Sequence, residues 1–268
     1  MLGAIVGDIV GAPWELRRIT TKDFPLFNDR NGITDDSIMT VAVADSLLHG
    51  KGSAEAMREW ARKVRPAAHL GGYGKKFFSW LAAAEVQPPY GSLGNGGAMR
   101  VSPVSWLSSS LDESLDAARR VTAVSHDHPE GLRGALATAH AVWLARHGAE
   151  AAAIRAALES EYGYDLSLSV GELRAVHEYN ETAQGTVPPA IVCALESESF
   201  EDALRNAVSL GGDADTIAAI AGSVAEPLHG IPDFIFQLAL SHIPAVMRDV
   251  IDAFEETAWG TESPHPSR

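Results

Sequence analysis

The sequence predicts an all-α fold, and three observations carry that prediction. Apolar residues recur at helical steps, as in Met39, Val43 and Leu47 and in Leu132, Leu136 and Trp143. Convincing apolar–polar alternation of period two, the mark of a half-buried strand, is absent. Many of the helical stretches are rich in Ala and Gly, which suits close helix packing. With 268 residues and 46% apolar content, the chain lies near the upper size for one hydrophobic core. One domain is therefore expected over residues 1–260, with 261–268 as a loose tail.

The opening segment sets glycines at every fourth position, Gly3, Gly7 and Gly11, so one helix presents a smooth face and is expected near the centre. Pro13 should end it. Loop punctuation falls at 66–74, 87–97, 126–129, 163–168 and 184–189. No internal repeat of fixed period stands out.

Thirty-five acidic residues against 21 basic ones give a formal charge of −14 and no basic run, which argues against general nucleic-acid binding. Cys193 is the single cysteine, so no disulfide can form within the chain, and a reducing cytoplasm is expected. The apolar start lacks a positive n-region and is broken by Asp8, so it does not read as a signal peptide. No apolar run reaches the roughly 18 residues of a membrane span, and no membrane partner is expected.

The strongest chemical signal is a pattern that occurs twice. Thr34-Asp35-Asp36-Ser37-Ile38 and Asp213-Ala214-Asp215-Thr216-Ile217 each place two carboxylates and a hydroxyl at the entrance of an apolar helix. Either cluster alone is explained by helix capping and the helix dipole. A cap needs one side chain, however, and each cluster offers three. Two carboxylates about 4 Å apart repel by roughly 4 kcal/mol at an effective dielectric of 20, a cost that a divalent cation reverses. All candidate ligands are oxygens and there is no HExxH pair, which favours Mg²⁺ or Mn²⁺ over Zn²⁺. Four carboxylates suffice for two ions.

A second signal is the glycine-rich stretch Gly91-Ser92-Leu93-Gly94-Asn95-Gly96-Gly97-Ala98-Met99-Arg100, where backbone N–H groups can approach an anion such as a diphosphate. A tight structural connection explains it equally well, and Arg100 is expected to pair with a phosphate or to face solvent, the latter being favoured. The third is Ser125-His126-Asp127-His128-Pro129-Glu130, before a long apolar helix. His126 is a candidate donor to a ligand oxygen, Asp127 a candidate helix cap, and His140 a core histidine. Glu15 follows the opening helix. It reads as an exposed loop carboxylate, or, beside a metal site, as a base or gate; the base must come from Glu15 or the aspartate clusters.

In that order, together with Gly3-Ala4-Ile5-Val6-Gly7-Asp8 and Gln184-Gly185-Thr186-Val187-Pro188, these motifs resemble the ADP-ribosylglycohydrolase family. The group includes dinitrogenase-reductase-activating glycohydrolase and the ADP-ribosylarginine hydrolases, and the resemblance spans nearly the whole chain. It implies a compact orthogonal helical bundle. It also implies two Mg²⁺ or Mn²⁺ ions held by Thr34, Asp35, Asp36, Asp213, Asp215 and Thr216, and substrate held by Asn95, Gly96, Gly97, Ala98, Met99 and His126. The implied reaction is hydrolysis of the bond from the terminal ribose of ADP-ribose to an acceptor, with Glu15 or Asp36 as base. An arginine side chain of a modified protein is the expected acceptor. Serine-linked or small-molecule ADP-ribose conjugates, non-catalytic ADP-ribose binding, and cleavage of the diphosphate are the alternatives. Ser37 stands where the family usually has Thr, and the hydroxyl is kept.

Overall fold

A computed structural model describes residues 1–15 and 17–259; the tail expected at 261–268 lies outside the described residues. The chain opens with α1 (Leu2–Gly11), which runs into a 3₁₀ turn, Ala12–Trp14. Next come α2 (Asp35–His49), α3 (Ser53–Lys63), α4 (Lys75–Ala82) and the short α5 (Gly96–Met99) and α6 (Pro103–Leu107). Then follow α7 (Leu111–Ala123), α8 (Pro129–Arg146), α9 (Ala151–Tyr162), α10 (Val170–Val176) and α11 (Ala183–Leu195). The chain continues through α12 (Phe200–Leu210), α13 (Ala214–His229), α14 (Asp233–Leu240) and α15 (Ala245–Trp259). Among the described residues there is no strand, and one isolated bridge pairs Gly94 with Thr182. The all-α expectation holds.

At the centre, α1 lies along α13, and every residue of α1 is buried. The glycine spacing explains how closely they meet. A methyl group on Gly3, Gly7 or Gly11 would collide with the backbone carbonyl oxygen of Gly222, Ala218 or Ala214, all on α13. Glu226 ties the same pair of helices, accepting from the Gly3 N–H at 2.9 Å and from the Met1 amino group at 2.7 Å. Pro13 sits in the 3₁₀ turn, so α1 does stop where the proline requires.

Around this pair, α11 and α12 pack on α13, and α2 packs on α1. In α8 the burial is inverted relative to residue size. Its fully buried side is built from Ala135, Ala137, Ala139, Ala141 and Val142, while Leu132 and Trp143 are only half-buried. Small side chains let α8 approach α11 and α13 closely, and its larger ones cover the rim.

Two local expectations are corrected. Residues 184–189 were expected to be a loop, yet they form the first part of α11, with Pro188 and Pro189 inside it. Thr182 caps the helix by accepting from the Gly185 N–H at 3.2 Å. The carbonyls that the prolines leave unpaired belong to exposed Gln184 and half-exposed Gly185, where water can serve them. The apolar run Ala190–Leu195 that follows is buried and holds the helix in place. The second concerns α8, whose cap is His128, accepting from the Glu130 N–H at 3.1 Å. Asp127 instead accepts from the Gly91 N–H at 2.7 Å and anchors the glycine-rich stretch.

If the α1–α13 contact requires bare backbone, Gly7→Ala should overpack it and lower stability by about 1–3 kcal/mol. Gly171→Ala is the control, because its methyl would meet nothing nearer than Ser169 Oγ at 3.9 Å. Thermal unfolding should show a clear drop for the first variant and no drop for the second.

Candidate metal centre and ligand cleft

The entrances of α2 and α13 open on one cleft of about 570 Å³, within the size range of small-ligand sites. Asp35, Asp36, Asp213, Asp215 and Thr216 line it, joined by Glu15 at the end of the 3₁₀ turn. The two aspartate clusters, far apart in sequence, thus meet in space. One carboxylate oxygen each from Glu15, Asp213 and Asp215 lies within 4.8 Å of the others.

Asp8, which the sequence reading did not assign to the site, organises the α2 entrance from inside α1. It is fully buried and accepts from the Thr34 N–H at 2.9 Å, the Thr34 hydroxyl at 2.7 Å and the Ser37 N–H at 3.1 Å, as well as from the Ser37 hydroxyl. The Thr34 oxygen in turn accepts from the Asp36 N–H at 3.2 Å. Thr34 and Ser37 are thereby turned toward Asp8, whereas Asp35 and Asp36 face the cleft. The signal that could have found Asp8 is its isolation: it is the one acid in a helix whose other residues are all apolar or glycine.

On the opposite entrance, Asp215 accepts from the Thr216 N–H at 2.9 Å. Asp213 accepts from Asn95 Nδ2 at 2.6 Å, and the same amide donates to Thr186 Oγ1 at 3.1 Å. Asn95 therefore joins the glycine-rich stretch to the acidic cluster. The stretch is also tied to the chain before α11, through Asn95 N–H to the Glu181 carbonyl and Ala183 N–H to the Leu93 carbonyl, both at 2.9 Å.

Beyond Asn95 the stretch is a helical turn rather than a loop, with Gly96 and Met99 lining the cleft. Gly97 and Ala98 are buried, and a methyl on Gly97 would meet Thr122 Cγ2 at 2.7 Å. The N–H groups of Gly96 and Gly97 open this turn, so they have no carbonyl partner within it. His126 also lines the cleft, with Phe77 at 5.9 Å and Tyr90 at 6.2 Å between ring centroids. These rings and Tyr73 form an aromatic wall that no sequence pattern marked, because Tyr73 and Phe77 come from one segment and Tyr90 and His126 from two others. Arg100, expected at the surface, is instead fully buried behind that wall, stacked over Phe77 at 5.3 Å. His140 is a core residue, bonded to Tyr162 Oη at 3.2 Å.

The electrostatics follow from crowding acids in poorly solvated surroundings. Desolvation, then Asp8, pushes Asp35 up to about 7. Desolvation and the neighbouring Asp8, Asp35 and Asp213 raise Asp36 well above the usual carboxylate range. Burial, then Asp213 and Asp36, does the same to Asp215. Asp8 is raised to about 6 by burial alone, against the hydrogen bonds that lower it. Partial burial, then Asp213 and Asp8, brings Glu15 to about 7. Asp36 Oδ1 is buried without a hydrogen-bond partner. An all-oxygen set with an orphaned buried carboxylate oxygen fits a hard divalent cation.

Residues 1–260 match the model of the ADP-ribosylglycohydrolase family. The chain belongs to that family. It is 28% identical to ADP-ribosylhydrolase ARH3 of Mus musculus, over 99% of this chain and 90% of that protein. It is 25% identical to ADP-ribosylarginine hydrolase Tri1 of Pseudomonas putida (strain GB-1), over 94% of this chain and 76% of the relative. Among solved structures it is similar to an "ADP-ribosylglycohydrolase-related protein complex", with TM-score 0.71, 25% identity, and coverage of 98% of this chain and 95% of that one. Membership makes the protein an enzyme of the ADP-ribosylglycohydrolase class, a hydrolase of glycosidic bonds to ADP-ribose. No helix among the described residues is long and apolar enough to cross a membrane.

The raised carboxyls set a sign for metal-free stability. Folded-state values of about 6 and 7 for Asp8 and Asp35 exceed the value of 3.8 for an ordinary aspartate. Between those limits the folded state holds protons that the unfolded state has released, so stability falls as pH rises through the window. In EDTA the unfolding midpoint should therefore decrease between about pH 5 and pH 7.5, where the unfolded carboxyls have already ionised. Adding Mg²⁺ or Mn²⁺ should recover most of the loss at the upper end. Scanning calorimetry across pH checks both, and a midpoint that rises with pH in EDTA would contradict the assignment.

Proposed function

We propose that the protein hydrolyses the bond between the terminal ribose of ADP-ribose and an arginine side chain of a modified protein, using two divalent ions, Mg²⁺ or Mn²⁺. The observation that carries this reading is the meeting of Glu15, Asp35, Asp36, Asp213 and Asp215 in one cleft walled by Asn95, Gly96, Met99 and His126. In this reading residues 1–260 act as one domain. The chain's one cysteine, Cys193, is buried in α11, which suits a reducing cytoplasm.

Asp35, Asp36, Asp213, Asp215 and Thr216 would hold the ions, with Thr34 supporting the α2 entrance. When bound, the ions would polarise the ribose hydroxyls and stabilise the charge that develops as the acceptor leaves. The remaining work falls to the chain's own groups. Asn95, bonded to Asp213, fixes the wall against the acidic floor. Amides of the Gly96–Met99 turn and the His126 ring suit the oxygens of a diphosphate and a ribose. Tyr73, Phe77 and Tyr90 offer faces for a nucleobase.

Between the two candidate bases, Glu15 is better suited than Asp36. It sits half-buried at the cleft wall with its carboxyl near neutrality, so it can exchange a proton with solvent and with a reacting group. Asp36 is buried deeper and offers an unpartnered oxygen to a cation. An arginine acceptor finds support in the similarity to an ADP-ribosylarginine hydrolase and in the acidic groups Glu15 and Glu181 that line the same cleft.

Incubating the protein with arginine- and serine-linked ADP-ribosyl peptides, with and without EDTA, tests this by mass spectrometry. Intact ADP-ribose released from the arginine peptide, and only when metal is present, is the expected product. AMP and ribose phosphate, or release from serine alone, would replace the reading. Asp215→Ala should keep its helical circular dichroism while losing turnover by more than the roughly 10–100-fold that removal of a residue merely supporting a metal ligand costs. Gly71→Ala tests Glu15 separately, because the new methyl would lie 3.0 Å from the Glu15 carboxyl carbon. It should lower kcat by a larger factor than it weakens Mn²⁺ binding, because Asp213 and Asp215 stay in place.

A further inference from the structure

Burying an unpaired guanidinium is costly, and an apolar side chain would fill the same space more cheaply. Arg100 is nevertheless fully buried, and Nε and Nη1 have no hydrogen-bond partner. Among the described residues it forms no ion pair with a carboxylate. It does not line the cleft. Its polar contact is Nη2 donating to Ser125 Oγ at 2.8 Å.

Ser125 Oγ has one other partner, His126 Nδ1, also at 2.8 Å. A guanidinium donates and cannot accept, so the hydroxyl proton has one place to go. Satisfying that buried proton requires Ser125 to donate to Nδ1, which would leave Nδ1 as the bare ring nitrogen and the ring proton on Nε2. Nε2 points at the glycine turn of the cleft: a methyl on Gly96 would lie 2.9 Å from it, and one on Gly94 3.6 Å. A second ring proton would leave the serine hydroxyl without an acceptor and would face the Arg100 charge. Burial and Arg100 accordingly hold the imidazolium form well below the usual histidine range.

We propose that Arg100 and Ser125 are positioning residues that lock His126 as the neutral Nε2–H tautomer, so that the cleft presents one fixed hydrogen-bond donor to an oxygen of the bound nucleotide sugar. The locked tautomer belongs to the free protein. Only the ligand it serves rests on the ADP-ribose reading.

Long-range ¹H–¹⁵N NMR of the full chain at neutral pH reads the tautomer directly. The expected pattern for His126 is a protonated Nε2 and a bare Nδ1, retained in Ser125→Thr, and replaced in Ser125→Ala by a tautomer mixture. A wild-type ring protonated on Nδ1, or a pattern unchanged in Ser125→Ala, overturns the proposal whether or not the protein hydrolyses anything. Calorimetric titration with ADP-ribose and Mg²⁺ should show Ser125→Ala weakening binding about fivefold to tenfold, the worth of one hydrogen bond. In a His126→Ala background the same substitution should have no further effect, and an undiminished effect there would assign Ser125 a merely structural role. Absence of ADP-ribose binding by the wild type would sink the ligand reading and leave the tautomer test standing.

Discussion

The approach of α1 to α13 is the contact from which the rest of the cleft is built. Three glycines one turn apart allow carbonyl oxygens of α13 to lie where side chains would otherwise stand. That proximity brings Asp8, carried inside α1, beneath the entrance of α2, where it accepts from Thr34 and Ser37. It also places the turn bearing Glu15 beside the entrance of α13. A wider separation would leave two ordinary capped helices. The close one produces a shared acidic floor.

A floor of that kind is held together by packing and opposed by its own charge. Each carboxyl there is raised, and the largest cause in each case is loss of water, with neighbouring acids adding to it. Hydrogen bonds answer only part of this, as Asn95 does for Asp213. Stability is therefore given up locally, leaving preorganised oxygens that would suit a divalent cation, and the surrounding apolar core supplies the difference.

The aspartate clusters were legible in the sequence because capping and metal binding ask for the same residue types at a helix entrance. Their convergence was legible only through the paired pattern. Asp8 escaped because a lone acid in an apolar helix first suggests an interruption, and its partners, Thr34 and Ser37, lie 26 and 29 residues away. Arg100 was misplaced for a related reason: its glycine-rich neighbours suggest a surface loop, while its burial is decided by Phe77 and Ser125. In α11, Pro188 and Pro189 spoke for a loop, and the buried run after them outweighed that local preference. Local chemistry was readable, and the partners supplied by other segments were not.

The cleft is electrically divided, and that division constrains what can occupy it. One wall carries six carboxylates, Glu181 beside Glu15 and Asp213 included, while the other carries neutral His126, the open N–H groups of the glycine turn and the exposed Lys75 and Lys76, with Arg100 behind. An anion drawn to the second wall is repelled by the first unless a cation lies between them. Cation and anionic ligand must then assist each other's binding, and by linkage each raises the other's affinity by the same factor. A ligand with a diphosphate at one end and a hydroxylated sugar at the other meets both walls with the matching groups. In the proposed reading the acidic floor would meet such a ligand through the cations it held, and a neutral His126 ring would add a donor without adding a charge.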